Sequence, residues 1–405
     1  MKKVLQVALG VVTGIGGFLE IGSIATAAEA GASFRYALIW TIALGTICLI
    51  FLVEMTGRLA AVSKHSIADA VRERFGFKFA VIPRVAEILV NVLVIAAEIG
   101  GVALALKFVT GIDVRFWAIP VTLLIGLTIW AGSLNLIENG TSILGLVAFA
   151  FIVAAVTMHP DYHAVLRGLV PSTPRQDAAH YWYIAVGILG ATISPYMFHF
   201  YGSGAIEDKW GEDSLSANRI SAALGMSFGA VMSVAVLVCA ALVLAPRGIE
   251  VARYEQAALI LIPALGRWGL PLFAATLGVC CFGAAIEVSL ASAYMVAQTL
   301  GWNWGENRNP GNAARFSMTY VVMLLLGGAL LLTGIDPLKL TMFAMAITAV
   351  ILPLIVVPFM LLLNDKTYVH EHTNGAIGNT VVAVTLLLAA IVAIITIPLE
   401  IAGGG

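Results

Sequence analysis

Long runs of apolar residues, separated by short polar connections, recur along the whole chain. A helix needs roughly twenty predominantly apolar residues to cross a bilayer, and the runs meet that criterion about eleven times. The pattern predicts an all-α polytopic membrane protein. The predicted transmembrane helices lie near residues 4–31, 36–59, 81–108, 116–130, 143–156, 181–201, 222–244, 270–300, 316–333, 338–363 and 381–401.

The first apolar run is interrupted by glycines and carries one carboxylate. Residues 14–23 read GIGGFLEIGS, with Glu20 near their centre. Glycine weakens helical pairing, and a glutamate in hydrocarbon is tolerated where it lines a cavity or meets a partner. We therefore predict that helix one is broken here and that the break forms half of a binding site.

A matching interruption lies in the sixth run, where residues 187–196 read GILGATISPY. Two glycine kinks in packed helices are the simpler explanation, but paired interruptions in two halves point to the midplane site of a secondary transporter. We predict one domain over residues 1–405 with two inverted five-helix repeats, at about 4–158 and about 181–363, and an extra helix at about 381–401. This is the LeuT-type architecture, with helices one and six broken.

Composition excludes several other classes of protein. Of the 405 residues, 60% are hydrophobic and 11% are charged, which is far from the composition of a soluble domain. A net charge of −1 without a basic cluster argues against nucleic acid as a partner. Because motifs for a catalytic nucleophile are also missing, we expect neither an enzyme nor a bound cofactor. The cysteines fall in apolar runs and are predicted to be packing residues: Cys48, Cys239, Cys280 and Cys281.

The basic residues predict an orientation. With the N-terminus inside, the cytoplasmic connections carry the larger share of lysine and arginine. We therefore expect an integral protein of the bacterial inner membrane, surrounded by lipid, with a cytoplasmic N-terminus. Residues 66–75 have the spacing of a short amphipathic helix on the inner face, and Glu54 and Arg58 are spaced to pair on one helix.

Five segments, taken together in their order and spacing, resemble one family. They are residues 25–40, 97–104, 190–195, 315–316 and 352–358. On these segments the chain resembles the Nramp family of divalent-metal transporters along nearly its whole length. The resemblance implies a secondary active transporter that carries a small cation by alternating access.

The sequence departs from the family pattern where ligands are expected. Residues 20–23 read EIGS where the family has Asp-Pro-Gly-Asn, and residues 194–196 read SPY where it has Met-Pro-His. Ile95 replaces a helix-three aspartate, and Met345 replaces a helix-ten glutamine. Conversely, Glu287 stands where the family usually has a glutamine. The asparagine and methionine side-chain ligands are both missing.

The donors that remain at the two breaks are oxygens. All-oxygen sites suit hard cations, whereas a thioether favours softer ions. We therefore expect a hard divalent metal ion, Mg²⁺ or Mn²⁺. The candidate metal ligands are Glu20, Ser23, the Ala191 carbonyl and Ser194, and Thr192 is a further substrate-binding candidate.

Two other functions fit the same residues. A small organic cation such as guanidinium or an amine needs carboxylates and aromatic faces, which Glu20, Glu287, Phe18 and Tyr196 could supply. A receptor or sensor that binds without transporting is the third reading. The extent of the resemblance favours the metal.

Protons are a candidate second substrate. Glu98 matches the family's helix-three glutamate, and intramembrane acids mark proton relays. With Ile95 in place of the aspartate, that relay is incomplete. His199 lies one helical turn after Pro195 and is a second candidate for the proton pathway, although packing histidines are common in such positions.

Overall fold

The computed structural model describes residues 19–131, 146–172, 177–305 and 312–403, and these residues contain helices and no β-strand. The helices of six or more residues are α1 (Ile21–Phe34), α2 (Ile39–Ser63), α3 (Ile67–Phe75), α4 (Phe77–Thr110), α5 (Val114–Ala131), α6 (Phe149–Thr157), α7 (Tyr162–Arg167), α8 (Ala178–Thr192), α9 (Pro195–Glu207), α10 (Leu215–Val243), α11 (Gly269–Leu300), α12 (Ala314–Leu332), α13 (Pro337–Leu363) and α14 (Ala376–Gly403).

Nine segments within the described residues are long and apolar enough to cross a membrane. This confirms the prediction of an all-α polytopic membrane protein. The sixth predicted helix is divided into α8 and α9, as expected for a broken helix. The described part of the first predicted helix is α1, which begins at Ile21. Residues 14–18 of the first interruption, which include Phe18, lie outside the described residues.

Helix α1 lies at the centre of the bundle. Every residue of α1 from Ile21 to Ala32 is buried, and the helix packs chiefly against α10 and α8. Its sequence is rich in alanine and glycine. In a membrane the hydrophobic effect does not drive helices together, and small residues stabilise their association by letting neighbouring helices approach closely. A centrally placed α1 puts Glu20, at its N-terminus, deep inside the protein.

The connections fall on two faces of the bundle. The Arg35 face comprises residues 35–38, 111–113, 158–172, 177, 244–268 and 333–336, and the Lys64 face comprises 64–76, 208–214, 301–305, 312–313 and 364–375. The predicted amphipathic helix forms α3 on the Lys64 face, where the Ser66 hydroxyl accepts a hydrogen bond from the Asp69 backbone N–H.

Ion pairs fasten the Lys64 face to the bundle. Glu54 and Arg58 pair at 3.1 Å as their spacing predicted, and Arg58 also donates to the Asn374 side chain at 2.7 Å. Arg74 of α3 pairs with Asp365 at 3.1 Å. Hydrogen bonds from Thr367, helped by Arg74, lower the pKa of Asp365. These contacts tie α3 and the connection after α13 to the membrane-spanning helices.

Candidate functional site

The chain leaves the helical conformation at the start of α1 and between α8 and α9. Glu20 precedes α1 in an extended conformation, and its carbonyl accepts a hydrogen bond from Ile24 N–H. Ile193 and Ser194 leave the helical conformation between α8 and α9, and Pro195 starts α9, where its missing N–H costs no helical hydrogen bond. The interruption in the sequence therefore becomes two half-helices that meet at Ser194.

The start of α1 contacts the break between α8 and α9 through the Glu20 carboxylate. The Tyr196 hydroxyl donates to Glu20 Oε2 at 2.7 Å, and Ser194 Oγ lies 3.4 Å from Glu20 Oε1. Ser194 Oγ also lies 3.1 Å from the carbonyl oxygen of Ala191, which the break leaves without a helical partner. Glu20, Ser194 and Tyr196 are all buried. Residues that are 174 to 176 positions apart thus form one polar cluster.

The other predicted site residues lie around this cluster in different ways. Ser23 is buried in the first turn of α1. Thr192 is the last residue of α8, and its methyl group lies against Gly45 of α2. A Cβ added at Gly45 would be 2.9 Å from Thr192 Cγ2. Phe18 is among the residues that the structure leaves undescribed.

Two further carboxylates face the cluster. Glu98, on α4, is fully buried and interacts electrostatically with Glu20 and with Glu287 of α11. The Cys281 thiol and the Ile21 backbone lie beside Glu98, but within the described chain neither carboxylate oxygen makes a hydrogen bond of good geometry. A buried carboxylate without partners is costly, so this region favours binding of a cation or a proton.

Met345 is a site neighbour whose position the sequence did not reveal. A Cβ added at Gly22 would lie 2.7 Å from Met345 Sδ, and one added at Gly190 would lie 1.9 Å from the Met345 carbonyl oxygen. Met345 is fully buried on α13. It contacts α1 beside Gly22, two residues after Glu20, and α8 beside Gly190, one residue before Ala191. The only signal in the sequence was that a methionine replaces the family's glutamine.

Tyr254 was also missed. Its hydroxyl donates to the Ile21 carbonyl at 3.2 Å and lies 3.3 Å from Thr341 Oγ1 of α13. Tyr254 belongs to the connection between α10 and α11 and stands 233 positions from Ile21. No local pattern could have revealed a contact that depends on the tertiary fold.

His199 lies away from Glu20 in a second buried cluster. Its Nε2 is 2.6 Å from Arg84 Nη1 and 3.1 Å from Glu87 Oε1, and Arg84 Nη1 is 2.8 Å from Glu87 Oε2. Arg84 and Glu87 are one turn apart on α4. His199 is therefore part of a charged cluster between α4 and α9 and not an isolated packing residue.

Comparison with known proteins identifies the family. A family model described as natural resistance-associated macrophage protein-like, Nramp, matches residues 10–398. The chain belongs to the Nramp family. A curated relative, the divalent metal cation transporter MntH of Yersinia enterocolitica, is 26% identical over 397 residues, covering 92% of this chain and 91% of the relative.

Solved structures show the same fold. A manganese transporter of Eremococcus coleocola superposes with a TM-score of 0.80 at 18% identity, over 98% of this chain and 87% of that one. Mhp1, a nucleobase-cation-symport-1 family transporter, superposes with a TM-score of 0.63 at 15% identity, over 96% and 91% of the two chains. The LeuT-type fold and the family are thereby confirmed. This Nramp protein is an integral membrane transporter and not an enzyme.

Proposed function

We propose that this Nramp protein is a secondary active transporter of a divalent metal ion, with Mn²⁺ preferred to Mg²⁺. The observation that carries the proposal is the Glu20 carboxylate, held by Tyr196 and Ser194 at the junction of two broken helices. The relative named a divalent metal cation transporter and the neighbour named a manganese transporter support the choice of substrate.

Charge supports a dication. Glu20 and Glu98 are buried close to each other, and neither forms an ion pair with a described residue. A divalent cation would neutralise both carboxylates, whereas two buried like charges left alone are strongly unfavourable. The described residues hold no cluster of three histidine, cysteine or acidic side chains arranged for a metal. We therefore infer a site made mainly of oxygen ligands, in which the ion keeps some of its water.

The proposed metal ligands are those predicted from the sequence. They are the Glu20 carboxylate, the Ser23 and Ser194 hydroxyls and the Ala191 carbonyl, with Tyr196 holding the carboxylate in place. The Met345 thioether adds a sulfur donor beside Gly22. Since thioethers favour softer ions and Mg²⁺ gains little from sulfur, its position favours Mn²⁺ over Mg²⁺.

A small organic cation is the second candidate. The Tyr196 side chain is buried and its hydroxyl contacts the Glu20 carboxylate, and a carboxylate together with an aromatic side chain is what guanidinium or an alkylammonium group recognises. In this alternative Glu287 would be a second anionic contact. The two candidates differ in whether the protein binds metal at all.

The membrane orientation and the proton path complete the proposal. We infer that the Lys64 face is cytoplasmic in a bacterial inner membrane, because this orientation also puts Lys2 and Lys3 of the N-terminus inside, whereas the connections of the two faces carry equal numbers of lysine and arginine. Glu98 is the proposed proton acceptor at the metal site, because its buried oxygens make no hydrogen bond of good geometry with the described residues. A proton or the metal would offset the same buried charge, which is a physical basis for coupling.

The test is binding to the purified protein and uptake into liposomes, with Mn²⁺, Mg²⁺ and guanidinium measured in parallel. In Glu20→Gln the Mn²⁺ affinity and uptake should fall by about 100-fold or more, since a principal ligand is removed. Glu255→Gln, on the Arg35 face, is the matched control and should bind normally. Unchanged Mn²⁺ binding in Glu20→Gln would reject the site, and guanidinium binding without any metal response would select the organic cation.

A further inference from the structure

A carboxylate and an imidazole meet between α1 and α8, at the end of these helices that lies toward the Arg35 face. Glu29 lies on α1 and His180 lies in the first turn of α8, and the two helices pack against each other. His180 Nε2 is 3.2 Å from Glu29 Oε1, and the Ser33 hydroxyl donates to the same oxygen at 3.3 Å. We call these three side chains the Glu29 cluster.

The Glu29 cluster and Glu20 lie at opposite ends of one helix interface. Thr26 of α1 lies against Gly187 of α8, where an added Cβ would be 3.3 Å from Thr26 Cγ2. Glu29 comes later in α1 than Thr26 but contacts α8 earlier than Gly187, at His180, so the two helices run antiparallel. Nine steps of 1.5 Å place Glu29 about 14 Å from Glu20 along α1. An ion bound at Glu29 therefore shares no ligand with an ion bound at Glu20.

The Glu29 carboxylate is buried, and only one of its oxygens has a partner. Glu29 is 8% exposed, and its Oε2 makes no hydrogen bond within the described chain. A neutral His180 ring with its proton on Nε2 accounts for the contact with Oε1, but it leaves Oε2 without a donor and the carboxylate without a positive charge. A buried carboxylate in that state is costly. The cluster therefore has both the charge and the acceptor atom that a cation needs.

The spacing of the two side chains fits two ligands of one metal ion. Zn²⁺ binds imidazole nitrogen and carboxylate oxygen at about 2.0–2.2 Å, so two such ligands of one ion lie about 3–3.5 Å apart. His180 Nε2 and Glu29 Oε1 are 3.2 Å apart. The Ser33 hydroxyl orients the carboxylate, as outer hydrogen bonds do at metal sites. Within the described residues no third histidine, cysteine or acidic side chain joins the pair, so water completes the coordination.

We propose that Glu29 and His180 form a second metal site, separate from Glu20, for a divalent transition-metal ion. The ion binds the Glu29 carboxylate and the lone pair of His180 Nε2, while the single proton of the neutral ring is on Nδ1. Each new metal–ligand bond replaces a bond from the ion to water, and no electron is transferred. Imidazole nitrogen favours transition metals over Mg²⁺ and Ca²⁺, which prefer oxygen ligands.

The position of this second site gives it a role in uptake, and that role rests on the proposed function. The side chains of His180 and Glu29 are 26% and 11% exposed, so an ion can reach the pair from the Arg35 face. The proposed orientation puts that face outside the cell. Glu20 lies about 14 Å farther in, along the same helix. The Glu29 site therefore binds the ion first and discriminates against Mg²⁺ before the ion reaches Glu20.

The first measurement is a Zn²⁺ titration of the full-length protein, followed by the ¹⁵N NMR signals of its histidine side chains. Zn²⁺ is the probe because it is diamagnetic and binds imidazole. The His180 signals are assigned by their loss in His180→Gln. We expect Zn²⁺ to shift the His180 Nε2 signal, and Glu29→Gln should weaken this response by at least about tenfold. The signal of His163, which is exposed on the Arg35 face, is the control and should not shift at the same Zn²⁺ concentration.

Two results of this titration would overturn the inference. One is a His180 signal that does not respond to Zn²⁺, and the other is an equal response in wild type and Glu29→Gln. The titration is repeated in Glu20→Gln, where the His180 response should persist because the two sites share no ligand. Loss of the response in Glu20→Gln would show a single site and would also overturn the inference.

The second measurement is Mn²⁺ uptake into liposomes. Glu29→Gln should raise the Mn²⁺ concentration for half-maximal uptake by about tenfold and change the maximal rate by less than about twofold, because the ion binds at Glu29 before the transport step. Glu255→Gln, on the same face, is the matched control and should follow wild type. A Glu29→Gln curve that also follows wild type would overturn the role in uptake. A His180 response to Zn²⁺ in a protein that moves no Mn²⁺ rejects the proposed function alone.

Discussion

Two glutamates on α4, Glu87 and Glu98, differ in what surrounds them. Both are buried, at 1% and 0% exposure, and they lie about three helical turns apart. Glu87 faces Arg84 at 2.8 Å and His199 at 3.1 Å. Glu98 faces two other carboxylates, and within the described chain its oxygens make no hydrogen bond of good geometry and no ion pair.

The difference shows that burial alone does not mark a binding site. Breaking a buried ion pair leaves an uncompensated charge, so Glu87 and Arg84 depend on each other for stability. Glu98 and Glu20 have no oppositely charged partner among the described residues, so a cation or a proton from outside would balance their charge. The region that the fold leaves unbalanced is where we place the transported cation.

The sharpest test applies one substitution to both glutamates. Glu87→Gln should lower the free energy of unfolding by about 3–5 kcal/mol, because the Arg84 charge stays buried without its partner. Glu98→Gln should lower it by no more than about 1 kcal/mol, because no pair is broken. Thermal and denaturant unfolding in detergent micelles measures both. Equal losses in the two variants would contradict the comparison.

A smaller effect than that of Glu87→Gln is expected at Met345, and it tests whether the Met345 sulfur belongs to the cation site around Glu20 and Glu98. Met345→Leu keeps the volume but removes the sulfur, so binding of Cd²⁺, a soft probe, should weaken by about tenfold, or 1.4 kcal/mol, while Mg²⁺ binding should change little. Isothermal titration in detergent gives both constants. Met342→Leu, one turn earlier on α13, is the matched control, since the Met342 side chain reaches Gly187 in ordinary contact only. Identical Cd²⁺ affinities in Met345→Leu and Met342→Leu would mean that the Met345 sulfur does not contact the ion and that Met345 is a packing residue.

Local patterns were sufficient for the helices and for one pair of site residues. The glycine and proline interruption at 187–196 predicted the break that the structure has at Ile193 and Ser194. The pairing of that interruption with the one at 14–23 predicted one shared site, and the side chains of two residues named as candidates for it, Glu20 and Tyr196, are 2.7 Å apart. Paired breaks are informative because helix-breaking residues are tolerated in lipid only where they line a protein interior.

The second cluster could not be predicted in the same way. Arg84 and Glu87 have the spacing of any intrahelical pair, and His199 is 115 positions from Arg84. Their meeting depends on how α9 packs on α4, which no periodicity encodes. Met345 was read as a lost glutamine, because the position of its sulfur depends on the close approach of α13 to Gly22. Contacts between helices that are far apart in the sequence therefore could not be predicted from the sequence.

The smallest effect is expected for an ion pair that is as short as the one at Glu87 but lies near solvent. Lys107 Nζ and Glu255 Oε1 are 2.7 Å apart on the Arg35 face, and their side chains are 34% and 41% exposed. Water screens such a pair and solvates either partner left alone, so Glu255→Gln should cost less than about 1 kcal/mol and the cost should shrink in high salt. Unfolding at low and high salt, beside Glu87→Gln, tests this. A loss as large as that of Glu87→Gln would mean that distance, and not burial, sets the strength of these pairs.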